Sequence, residues 1–161
     1  MKDRRLSEAA TEGESFLDLD NQFCFALYSA SRLVVRGYRT MLDELDLTYP
    51  QYLVMLVLWE WARHKYERST VSALGERLEL DSGTLTPLLR RLEEKHYVTR
   101  SRSGADEREV FVKLTPKGQE LKKSVQRRLP ALLARSPMPI PELIALRDQL
   151  KRLRVGLTSG N

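Results

Sequence analysis

"ELDSGTLTPLLRRLEEKHYVTRSRSGADEREVFVKLT", residues 79–115, changes character halfway along. In its first part Leu85, Leu88, Leu89 and Leu92 fall at i, i+3, i+4 and i+7, the spacing that gathers apolar side chains on one face of a helix. The opposite face then carries Gly83, Thr84, Thr86, Pro87, Arg90 and Arg91, with Asp81 or Ser82 as the cap. Small hydroxyls at a helix start reach base edges, Pro87 offers an apolar surface to a thymine methyl, and the arginines suit phosphate or guanine. Pro87 also deletes one helical hydrogen bond, so a slight bend is expected. In its second part, two β-prone segments, about Tyr97–Arg100 and Val110–Leu114, flank the polar tip "SRSGADERE" as a hairpin does.

Upstream, Val71, Leu74 and Leu78 build a short amphipathic helix joined to the first part through the tight turn "ELDSG". Two such helices alone read more simply as a packed pair in a bundle. The ribbon tips the balance, because Arg100, Arg102 and Arg108 on a finger after the second helix suit a neighbouring minor groove. Helix-turn-helix plus basic ribbon is a winged helix, and the function it predicts is binding of double-stranded DNA.

Further out, a helical pattern runs from Asp20 or Asn21 to about Leu45, "LTYP" breaks it, and a second apolar helix follows from about Pro50 to Ala62. "RHKYERS" is a charged connector; "TPKG" opens another helix, and after "SPMPIP" a last one spans about Glu142–Val155. Residues 1–15 lack apolar periodicity and read as a mobile tail. The fold class is therefore mainly α with a small β-hairpin.

The composition agrees. The 161 residues carry a net charge of +5, unevenly spread: residues 1–60 hold six Lys or Arg against ten Asp or Glu, whereas residues 90–127 hold eleven against six. A local basic excess fits a face for a polyanion better than a cationic coat does. No apolar run is long enough for a membrane span and the N-terminus lacks a signal-peptide core, so no membrane partner and a cytoplasmic location are expected. His64 and His96 have no partners at metal-ligand spacing, and neither metal nor cofactor is expected. No catalytic constellation can be nominated, so the chain reads as no enzyme.

One thiol, Cys24, stands near the start of "NQFCFALYSASRLVVRGY", residues 21–38. Between Phe23 and Phe25 it can be an inert buried small hydrophobe. Placed about one turn into a helix capped by Asp20, it instead sits where the helix dipole favours thiolate. Tyr28 is one turn on, and Tyr38 lies about 40° round the helix but about 21 Å along its axis. Tyr38 therefore meets Cys24 only if a second copy of the helix runs past in the opposite sense. Tyr28, Tyr38, Tyr49 and Tyr52 are otherwise ordinary interface or core aromatics.

The stretch 79–115, with Asp106 and Arg108 in an Asp-x-Arg wing element, resembles the winged helix of MarR-type bacterial transcription regulators. Joined to "NQFCFALYSASR" and "LDLTYPQYLVMLVLWE", it resembles their OhrR branch, the organic-hydroperoxide-responsive repressors, over roughly Leu19–Leu121. The connector "WARHKYERS" is longer than usual there. The resemblance implies one MarR-type domain over residues 16–157, with the DNA-binding part at about 50–115 and dimerisation helices at about 20–45 and 116–157. It further implies a homodimer on operator DNA, a wing arginine in the minor groove, and Cys24 as the redox sensor, hydrogen-bonded by Tyr38 and Tyr49 of the partner subunit. Phe23, Phe25 and Tyr28 are the candidate pocket for the hydroperoxide. With no second cysteine, the resemblance points to a one-cysteine mode that uses a low-molecular-weight thiol. The rivals are a MarR-type repressor controlled by a small non-covalent ligand, and a thiol peroxidase.

Overall fold

A computed structural model describes residues 15–102 and 109–159, and the chain divides into two compact units, residues 1–49 and 50–161. In the first unit, two 3-10 turns, Ser15–Leu17 and Leu19–Asn21, precede helix α1, Phe23–Asp43. The start differs from the expected one. Asp20 and Asn21 are spent in the second turn, and Gln22 is the residue before the helix, with no side-chain cap. α1 ends where Leu47 N–H returns to the Leu42 carbonyl at 2.9 Å and Asp46 takes a left-handed φ of 51°.

Helix α2, Tyr49–His64, begins at the last residue of the first unit, with Pro50 in the first turn, where a missing N–H costs nothing. The second unit continues with α3, Val71–Leu78, and α4, Ser82–Glu94. Strands β1, Val98–Arg102, and β2, Val110–Leu114, pair antiparallel with Val98 opposite Leu114 and Arg102 opposite Val110. Helices α5, Pro116–Leu133, and α6, Ile140–Ser159, complete it. Thr70, Asp81 and Thr115 cap α3, α4 and α5 through their side chains, each satisfying an N–H three residues on.

Alternation of buried and exposed positions carries the packing of the second unit. Val54, Met55, Leu74, Leu85, Leu89 and Leu92 are almost completely removed from water. The turn between α3 and α4 is tight because Gly75 lets the chain fold back: Leu80 N–H bonds the Gly75 carbonyl at 2.9 Å, and a Cβ on Gly75 would meet the Leu80 oxygen at 2.9 Å. Gly118 does the same at the hairpin, where an added Cβ would run into the Tyr97 carbonyl, and its own carbonyl accepts from Trp59 Nε1 at 2.9 Å. A bridge between Thr70 and Phe111, with Val112 N–H on the Ser69 carbonyl at 2.8 Å, ties the connector to the hairpin. Among the described residues no helix is long and apolar enough to cross a membrane.

Candidate DNA interface and thiol site

α4 presents the surface that its leucine spacing implies. Leu85, Leu89 and Leu92 are buried and Leu88 is half-buried, while Ser82, Gly83, Thr84, Thr86, Pro87, Arg90 and Arg91 are all exposed. Asp81, not Ser82, is the cap: its carboxylate accepts from Thr84 N–H at 2.8 Å and from the Thr84 hydroxyl at 2.9 Å. These bonds, the backbone one foremost, hold the Asp81 carboxyl below the usual carboxylate range. Pro87 lies inside the helix and deprives the Gly83 carbonyl of its i+4 donor.

The ribbon follows α4 directly, but its arginines differ in occupation. Arg100 is held by Glu93, with Arg100 Nε and Nη2 both on Glu93 Oε2, at 3.0 and 2.7 Å, and Arg100 N–H on Oε1 at 3.0 Å. The side-chain bonds to Arg100 are the main reason that the Glu93 carboxyl titrates below its usual range. Arg100 thus fastens β1 to the last turn of α4, a commitment that sequence spacing does not reveal. Arg102, one pleat further, is exposed. Asp106 and Arg108 lie outside the described residues. Just before β2, toward the tip end of the ribbon, Glu109 is reached by Arg68 at 2.8 Å.

Cys24 is the second residue of α1, nearer the helix N-terminus than expected, and it is exposed. A buried inert thiol therefore does not describe the chain by itself. Its neighbours Phe23 and Tyr28 are also exposed, at 61% and 58%, and Phe25 lies at 37%. Tyr28 accepts a 3.4 Å hydrogen bond from Arg32 Nη1, whose guanidinium lies over the Tyr28 ring. Tyr52 is buried.

Tyr38 and Tyr49 come together edge to face, with ring centroids 5.4 Å apart. Burial, then the neighbouring Tyr49, raises the Tyr38 phenol above its ordinary range. Cys24 and Tyr38 both lie on the continuous helix α1, so about 21 Å of axis separates them within one chain. Beside Tyr49 is a groove of about 470 Å³ lined by Val35, Leu42 and Leu47 as well as Arg32, Arg36 and Arg39.

The comparisons with known proteins agree with one another. Residues 36–125 match the family of transcriptional regulators described as SarA/Rot. The organic hydroperoxide resistance transcriptional regulator of Bacillus subtilis is 50% identical over 106 residues, 66% of this chain and 69% of that protein. The DNA-bound structure of reduced AbfR, a protein of Staphylococcus epidermidis, is 35% identical with a TM-score of 0.73 and matches 88% of this chain and 93% of its own. AbfR in an overoxidised form, also bound to DNA, matches 84% of this chain and 95% of its own at 36% identity and a TM-score of 0.65. These relatives are regulators rather than enzymes. With the winged helix in place between them and the residues, the chain belongs to the MarR family of DNA-binding transcription regulators, in its OhrR-type branch.

Proposed function

We propose that the chain is a homodimeric repressor that leaves its operator when Cys24 is oxidised by an organic hydroperoxide. The observation that carries this reading is the Tyr38–Tyr49 pair: the two phenols meet edge to face, yet Tyr38 lies too far along α1 to serve the thiol of its own chain. Two copies of α1 running in opposite senses bring each pair to the other's Cys24, where the phenols donate to the thiolate. The groove beside Tyr49 receives the organic part of the peroxide. Phe23, Phe25 and Tyr28, exposed beside the thiol, are the apolar side chains on the Cys24 side of the shared site.

The chemistry balances with one thiol per chain. Thiolate attacks the outer peroxide oxygen and the O–O bond breaks; one proton from water completes the departing alcohol and leaves sulfenic acid, with which a low-molecular-weight thiol then condenses to a mixed disulfide and water. For AbfR, an overoxidised form is compatible with DNA. The releasing change assigned here is accordingly the bulk of the mixed disulfide, which displaces Tyr38 and Tyr49 and alters the spacing of the two winged helices. On DNA, α4 enters the major groove, Arg102 and Arg108 serve the ribbon, and Arg100 positions it through Glu93. Cys24→Ser tests the reading: the variant should hold promoter DNA unchanged by cumene hydroperoxide and a thiol, while the parent is released. A serine variant released as readily as the parent favours control by a non-covalent ligand instead.

A further inference from the structure

The cap of α4 also fixes the hydrogen-bonding polarity of one side chain on the DNA-facing surface. An ionised carboxylate has no hydrogen to give, so the 2.9 Å contact between Thr84 Oγ1 and Asp81 Oδ2 is a bond in which the threonine hydroxyl donates. A hydroxyl has one hydrogen. With it turned back to Asp81, what Thr84 Oγ1 shows to the solvent is lone pairs only.

The arrangement is over-determined. The same carboxylate accepts the Thr84 N–H at 2.8 Å through its other oxygen, so both the backbone and the side chain of Thr84 hold it in place. Gly83 leaves it the room: a Cβ there would lie 3.0 Å from Asp81 Oδ1. Thr84 is exposed in the first turn of α4, the part of a recognition helix that comes nearest to base edges.

We infer that Thr84 is a specificity-determining residue whose hydroxyl acts only as an acceptor toward DNA, selecting a base with a major-groove amino group, adenine or cytosine, because Asp81 holds its hydrogen. Guanine and thymine present acceptors at that edge and are rejected, since two acceptors then face each other without a hydrogen between them. Asp81 is a positioning residue in this device: it acts on the base through Thr84. The inference requires only DNA binding and is independent of the fate of Cys24.

The test is selection by the full chain from a random duplex pool, followed by affinities for duplexes varied one position at a time. The parent should prefer adenine or cytosine at one position per half-site by roughly five- to tenfold, the worth of one hydrogen bond. Thr84→Val should flatten the preference at that position alone. Asp81→Asn retains an oxygen for the Thr84 N–H but offers an amide hydrogen to Oγ1, freeing the hydroxyl to donate. That variant should admit guanine or thymine there. Replacing the selected base by an analogue without its amino group should weaken the parent by the same factor and leave Thr84→Val unaffected, a readout that stands even if the Asp81 variant does not fold. A position sensitive to Thr84→Val that favours guanine or thymine in the parent, no sensitive position at all, or an Asp81→Asn protein with the parental preference would overturn the inference.

Discussion

The winged helix and the two helices at the chain ends meet water in opposite ways. In α4 and the elements around it, Leu74, Leu85, Leu89 and Leu92 are buried, the helix starts are capped and the ribbon is fastened by Glu93. In α6 no residue is buried, and Ile140, Val155 and Leu157 are more than half exposed. α1 likewise exposes Phe23, Leu33 and Val34. A monomeric protein seldom displays this much apolar surface at two places. The difference teaches that the DNA-reading part completes its core within one chain, whereas the terminal helices leave apolar surface uncovered, as the proposed dimer requires.

Substitutions in the two regions should therefore fail differently. Leu89→Ala, at a fully buried position, should lower the unfolding free energy by about 2–5 kcal/mol in denaturant titration. Gly118→Ala should also be severe, by about 2 kcal/mol or more, because the new methyl group collides with the Tyr97 carbonyl beside the Trp59 bond. Leu33→Glu and Leu157→Glu change exposed residues and should leave the helix content of the single chain intact, yet sedimentation should show the dimer dissociating. If both glutamate variants sediment as the parent does, the terminal helices are not the interface and the comparison breaks.

Smaller effects sharpen it. Tyr38→Phe should slow oxidation of Cys24 about tenfold, one charge-assisted hydrogen bond, without loss of DNA affinity, as followed by sulfenic-acid trapping. Glu93→Gln should loosen the ribbon by less than about 1 kcal/mol, since the pair is partly exposed, side chains 36% and 28%. The pH dependence has a definite sign. The Glu93 carboxyl is lower in the folded protein, so the pair's contribution is present above the ordinary glutamate range and fades as pH falls through the folded value. Thermal melts of parent and Glu93→Gln should therefore converge on acidification.

Much of the winged helix was legible in the sequence because period and chemistry coincide there. The leucine spacing fixes the buried face of α4, and the hydroxyls and arginines are what remains. The hairpin was legible through its β-branched segments, with β1 starting one residue later and ending two later than expected. The start of α1 was not, because Asp20 is a fair cap by composition but is drawn into a 3-10 turn. Nor was the engagement of Arg100, which depends on β1 returning along the last turn of α4 and so on a contact seven residues apart across a helix end. The bridge from Thr70 to Phe111 joins residues distant in sequence, with no local periodicity to announce it.

The central claim is that thiol and phenols act across two chains, and subunit exchange tests it most directly. Chains carrying Cys24→Ser retain their tyrosines, and chains carrying Tyr38→Phe with Tyr49→Phe retain their thiol. In a mixed dimer, the remaining Cys24 faces the intact tyrosines only if the site is shared. Mixing the two should restore the parental rate of hydroperoxide oxidation to a thiol that reacts slowly in its own homodimer. A thiol that stays slow after exchange, in dimers verified by mass, would contradict the account.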